Sequence, residues 1–152
     1  MLKEKELLLL AHFRKDARAN LTKISKDTGV PVSTIFDKLN GYKNGIITRF
    51  TTLLDFQKLG YDIRVNFILK VEKSRKEELM NFLLKHGSVN SVFRINNDFD
   101  FLAEGIFRNM QELNEFTEEL NKYNVLQKHE HFILQDLKRE AFMADTELVH
   151  LA

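Results

Sequence analysis

The sequence predicts an α+β protein, an N-terminal winged helix-turn-helix followed by a ferredoxin-like βαββαβ sandwich, on three observations. The stretch Leu21 to Ile47, LTKISKDTGVPVSTIFDKLNGYKNGII, holds two short amphipathic segments separated by Gly29 and Pro31. From Arg64 onward the apolar period changes from helical spacing to strict alternation. Beyond that point strand-like and helix-like runs follow in the order strand, helix, strand, strand, helix, strand, which is the split βαβ order.

Leu2 to Phe13 reads as a first helix with Leu7, Leu10 and Phe13 spaced to face one core. Lys15 to Asn20 is a polar connection. Asn20 caps the next helix, on which Leu21, Ile24 and Ser25 share a face, and Gly29 supplies the positive φ at which it stops. Pro31 fixes φ near the helical value at the entry to the following helix, where no backbone N–H is needed. Ile35 and Leu39, with Phe36 and Tyr42, give that helix an apolar side, and Ser33, Thr34, Asp37 and Lys38 point away from it. Gly41 predicts an early frayed end, with Lys43-Asn44-Gly45 turning into a strand from Ile46 to Leu54. Asp55 then caps a single helical turn closed by Gly60.

Val65, Phe67, Leu69 and Val71 alternate with Arg64, Asn66, Ile68 and Lys70, as in a half-buried strand. Ser74 and Glu77 have the spacing of a capping box before a helix striped by Leu79, Phe82 and Leu83 that ends at Gly87. Val89 to Ile95 and Phe101 to Arg108 are two strands joined by Asn96-Asn97-Asp98-Phe99-Asp100. Asn109 and Glu112 form a second capping box, opening a helix striped by Leu113, Phe116 and Leu120, and Val125 to Leu137 is the last strand. The Leu79/Phe82 spacing recurs as Leu113/Phe116, as a duplicated βαβ unit would show. Two helices on one face leave the other face of the sheet open, with Ile68 and Val92 expected on it; an open, partly apolar sheet needs a cover, and a second copy supplies one.

These readings divide the 152 residues into a helix-turn-helix domain at 1–47, a structured strand and linker at 48–63, a ferredoxin-like domain at 64–140 and a tail at 141–152. With 43% hydrophobic residues and 13 Phe the chain can build real cores, and without Cys it has neither disulfides nor thiolate ligands or nucleophiles. No apolar run reaches membrane-spanning length and acidic residues surround Leu7–Leu10, so a cytoplasmic protein is expected. Net charge is only +1, but it is segregated. Residues 1–50 hold ten basic and five acidic residues, net +5, whereas residues 110–152 hold four and nine, net −5. The positive excess sits on the helix-turn-helix end, as a phosphate-binding surface requires.

Phe13-Arg14-Lys15-Asp16-Ala17-Arg18 precedes the motif, and Gly45-Ile46-Ile47-Thr48-Arg49-Phe50-Thr51 follows it. With RKDAR-x-x-LT-x-I-S-x-x-x-G, the later DFQKLGYD of Asp55–Asp62, and Asn96 to Leu102, nearly the whole chain resembles the leucine-responsive regulator/asparagine-regulator family of prokaryotic transcription factors. The resemblance implies a DNA-binding regulator that works as a homodimer or a larger assembly up to an octamer. It also implies an amino-acid effector, held at a subunit interface by the loop corresponding to Asn96, Asn97, Asp98, Phe99 and Asp100, and no other cofactor. Two departures stand out. Phe36 and Asp37 occupy the middle of the recognition helix, where the family usually has basic residues, and Asn97 stands where Gly commonly precedes the Asp-aromatic-Asp triplet.

On this reading Ser33, Thr34, Asp37 and Lys38 are placed to reach base edges or phosphates, with Pro31 setting the helix entry. Lys23, Lys26 and Lys43 are phosphate contacts that carry no sequence information. Asp37 suits cytosine N4 as an acceptor. Read without the family, Asn96–Asp100 is a hairpin of turn-forming residues. His129 and His131 share a strand face, but no third ligand stands at a metal-site spacing, and no phosphate loop, dinucleotide fingerprint or nucleophile elbow occurs. The rivals are a siroheme-decarboxylase-like enzyme of the same two-domain plan, with His129, His131 and Arg94 serving a porphyrin carboxylate, and a nucleoid-type architectural protein with flat sequence preference.

Overall fold

The computed structural model describes residues 3–43, 45–147 and 149. Leu2 of the expected first helix, Asn44 of the expected turn and residues 148 and 150–152 of the tail lie outside the described residues. The chain forms two compact units: Leu54–Asp136, and the segments that flank it on both sides. The first of these starts and ends earlier than the 64–140 domain drawn from the sequence.

In the flanking unit α1 (Glu4–Lys15), α2 (Leu21–Thr28) and α3 (Val32–Tyr42) close around Leu9, Phe13, Ile24 and Ile35, with Leu21, Val30 and Leu39 packed against them. The α1 phase differs from expectation: Leu9 and Phe13 are buried, whereas Leu7 and Leu10 are only half-buried. Four consecutive leucines carry no phase of their own, so the partner helices choose it. At the turn, Asn20 Oδ1 accepts the Thr22 N–H at 2.8 Å and Gly29 stops α2 at φ +69°. Pro31 stands at the entry to α3 as its N-cap, with φ −57° near the helical value and ψ 142° still extended. Gly41 does not fray α3, which runs on to Tyr42 because that ring is buried and anchors the last turn. Residues 137–147 belong to this unit; Arg14 meets Glu140 at 2.6 Å and donates from Nε to the Phe142 carbonyl at 3.2 Å.

The expected strand Ile46–Leu54 does not form a ladder. Its β-branched residues favour extended backbone, but a strand exists only beside a partner, and none of the described residues pairs with it. Asp55 Oδ1 does accept the Lys58 N–H, at 3.3 Å, and Gly60 closes the 3₁₀ turn Gln57–Leu59 at φ +84°.

The Leu54–Asp136 unit is the split βαβ sandwich. Its strands β1 (Ile63–Val71), β2 (Val89–Arg94), β3 (Phe101–Phe107) and β4 (Val125–Phe132) form one antiparallel sheet in the order β2-β3-β1-β4. The helices α4 (Lys76–Lys85) and α5 (Met110–Asn121) supply Leu79, Leu83, Leu113, Phe116 and Leu120 to a core shared with Val65, Phe67, Leu69, Phe101 and Phe107. Phe116 lies 5.1 Å from Phe67 and 5.3 Å from Phe107 between ring centroids, so the aromatic centre of the core bridges helix and sheet. Asn109 Oδ1 accepts the Glu112 N–H at 3.0 Å and caps α5. The capping box expected at Ser74 is absent: Ser74 Oγ donates to Glu72 Oε1 at 2.9 Å, inside a 3₁₀ turn that moves the start of α4 on by one residue.

The face without helices carries Arg64, Asn66, Ile68, Phe93, Leu102 and Glu104, by their register with one another. Val92, expected there, packs into the helix-covered core opposite Ala103. The pairing of β2 with β3 shifts between Val89 and Ser91. A bulge adds one residue and reverses which face every later side chain takes, so Phe93 replaces Val92 on the open side.

Candidate nucleic-acid interface and effector loop

Helix α3 buries Ile35 and Tyr42, and Leu39 in part. Opposite them Ser33, Phe36, Asp37 and Asn40, at i, i+3, i+4 and i+7, form an exposed stripe. Phe36 does not join the apolar side expected of it; the residue is 54% exposed, and Val32, one turn earlier, is 41% exposed. Sequence reading missed Phe36 and Asn40 as surface groups, although their spacing from Ser33 and Asp37 was the available signal.

Thr34 and Lys38 lie to one side of that stripe, where α1 approaches. Lys38 Nζ sits 2.5 Å from Glu6 Oε1, and Glu6 Oε2 accepts the Lys3 N–H at 3.0 Å. The Lys38 ammonium, and then the Lys3 N–H, hold the Glu6 carboxyl below the usual carboxylate range, and Glu6 in turn raises Lys38. Burial raises the Tyr42 phenol above its ordinary value, and its hydroxyl has no well-aligned hydrogen-bond partner among the described residues. Lys23, Lys26 and Pro31 are exposed on and after α2, and Lys43 Nζ donates to Asn40 Oδ1 at 3.2 Å at the end of α3. One short unit therefore brings together the eight positions singled out from the sequence, with Lys38 already engaged by an anion of its own chain.

The second candidate site is the hairpin between β2 and β3. Asn97 and Asp98 take φ +60° and +67°, consecutive left-handed residues of the kind a type I′ hairpin turn requires. Asn and Asp tolerate that region better than most side chains, which explains how Asn97 stands where Gly is common. Asp100 faces inward. Its Oδ1 lies 2.7 Å from Lys76 Nζ, its Oδ2 accepts the Val71 N–H at 3.0 Å, and its own N–H donates to the Leu69 carbonyl at 2.8 Å. Asn96, Asn97 and Asp98 remain exposed at the tip. Phe99 is half-buried and meets His129 edge-on at 5.3 Å, and His129 stacks parallel to His131 at 6.3 Å. No group of three His, Cys, Asp or Glu suited to a metal ion occurs among the described residues. No described helix is long and apolar enough to cross a membrane.

Residues 65–142 match the Lrp/AsnC ligand binding domain family. The HTH-type transcriptional regulator FL11 of Pyrococcus abyssi is 31% identical over 104 residues, covering 68% of this chain and 69% of that protein. The HTH-type transcriptional regulator PH1692 of Pyrococcus horikoshii is 25% identical over 129 residues, covering 84% and 87%. Among solved structures, the transcriptional regulator NMB0573/L-Met complex from Neisseria meningitidis superposes with a TM-score of 0.84 at 18% identity, covering 91% of this chain and 94% of that one. B. subtilis LrpC gives 0.81 at 16% identity, covering 91% and 98%.

Proposed function

This chain belongs to the Lrp/AsnC family of helix-turn-helix regulators, and from that premise we propose a sequence-specific transcriptional regulator that binds double-stranded DNA as a homodimer and responds to a free amino acid. The observation that carries the DNA reading is the outer stripe of α3, held on a unit whose first 50 residues carry net charge +5. Ser33, Asp37 and Asn40 offer a hydroxyl, an acceptor and an amide at helical spacing, the equipment for base edges. Lys23, Lys26 and Lys43 supply sequence-independent attraction to phosphates.

The dimer in this proposal forms through the open face of the sheet. Ile68, Phe93 and Leu102 lie together there, with Phe93 57% exposed in the single chain, and a second copy of the same face covers them. The effector rests on the hairpin tip. Asp100 is the positioning residue, spent on Lys76 and Val71, while Asp98 takes the α-ammonium of an amino acid and the Phe99 ring walls its side chain. The L-Met complex of the Neisseria relative supports an amino acid as the ligand class. Selection of bound duplexes from a random pool tests the proposal: enrichment of one palindromic sequence supports it, and recovery of unenriched sequences opposes it.

A further inference from the structure

Two apolar side chains of α3 stand outside the packed core of their unit. Phe36 lies outside the cluster of Leu9, Phe13, Ile24 and Ile35, and with Val32 it makes a patch one turn long on the helix surface. Such a patch flanked by Ser33, Asp37 and Asn40 is continuous with the groups proposed to read base edges. The first 50 residues, which carry it, hold net charge +5, and that excess favours a polyanion as its occupant. In the major groove of B-DNA the thymine C5-methyl is the apolar group presented at the base edge, and a Phe ring is suited to contact it. We infer that Phe36, supported by Val32, reads a thymine methyl, so that the preferred site carries a T·A pair under α3 in each half-site. The inference rests on the DNA-binding reading and adds to it the base class recognised. It also accounts for an apolar residue in the middle of a helix facing solvent, because a methyl contact needs no charge and leaves sequence-independent attraction to the lysines.

The experiment uses the full chain and a duplex that the protein itself selects from a random pool. Binding is compared on that duplex and on a copy with uracil replacing thymine, one half-site position at a time; uracil keeps the hydrogen-bonding edge and lacks only the methyl. At one position per half-site the wild type loses roughly fourfold in affinity per methyl removed, the scale of one buried methylene-sized group. Phe36→Ala, at an exposed position and folded by circular dichroism, binds the thymine duplex more weakly and no longer distinguishes it from the uracil duplex. Equal wild-type affinity for the two duplexes overturns the inference while leaving DNA binding intact. Undiminished discrimination by Phe36→Ala overturns it as well, because another group then reads the methyl. Absence of wild-type binding to any duplex is a different failure, that of the DNA-binding reading itself, and it removes the inference with it.

Discussion

Asp100 Oδ1 lies 2.7 Å from Lys76 Nζ while Oδ2 of the same carboxylate takes the Val71 N–H at 3.0 Å, so one side chain ties the β2–β3 hairpin to the end of β1 and to the first turn of α4. Burial opposes ionisation of this carboxyl, but the Lys76 ammonium and the Val71 N–H together outweigh it and hold its pKa below the ordinary aspartate value. A depressed folded-state pKa gives stability that is present above the unfolded value, about 3.9, and is lost as pH falls through the lower folded value. Asp100→Ala therefore costs about 1–3 kcal/mol at neutral pH, and the gap from wild type narrows below about pH 4. Thermal melts at pH 7 and pH 3 check both parts; equal melting temperatures at pH 7 would contradict this role for the carboxylate.

Glu6 and Lys38 join α1 to the helix proposed to read DNA. Glu6→Gln removes the counter-charge and frees the Lys38 ammonium for phosphate. Affinity for random duplex DNA at low salt then rises, and the slope of log K against log salt steepens by about 0.9 for each further phosphate neutralised. A slope and affinity equal to wild type would mean that Lys38 does not reach the backbone even when released.

Gly105 sits in β3 opposite Val65, under the aromatic centre of the core. A Cβ there would lie 2.6 and 2.7 Å from ring atoms of Phe107 and 3.0 Å from Phe67. Both rings are fully buried and have nowhere to retreat. Gly105→Ala is expected to cost about 1–3 kcal/mol by overpacking. Denaturant melts following Leu54–Asp136 should show the loss, and an unchanged midpoint would show that the Phe107 ring yields.

The open sheet face gives a test of assembly that spares the core. Phe93→Asp changes an exposed side chain, so the secondary structure measured by circular dichroism stays as in wild type. Two like charges brought together across a symmetric interface oppose association, and light scattering should report monomer where the wild type gives dimer or larger. A dimer in both proteins would move the interface elsewhere.

Much of this architecture was legible because its cause is local. The β1 alternation, the α5 stripe and the Asn20–Gly29 punctuation each come from side chains whose period or conformational preference the sequence displays. What escaped depended on non-local choices. Four leucines in α1 have no phase until α2 and α3 supply a core, the bulge before Ser91 exchanges Val92 for Phe93, and the β-branched run 46–54 finds no strand to pair with. The sites divide the same way. Ser33 and Asp37 are visible from spacing, whereas apolar character alone points Phe36 to the core, and the engagement of Asp100 by Lys76 joins residues 24 positions apart.

The central claim is that this chain reads DNA through α3, and the most direct measurement is equilibrium binding of the full protein to a duplex selected by it, against random DNA, across salt concentration. A linear fall of log K with log salt is expected for both duplexes. A preference of at least roughly 10³ for the selected one is expected as well, reduced by Asp37→Ala or Phe36→Ala and left unchanged by Lys26→Ala, which weakens both duplexes alike. Equal affinity for the two duplexes, or binding that does not respond to salt, would contradict it.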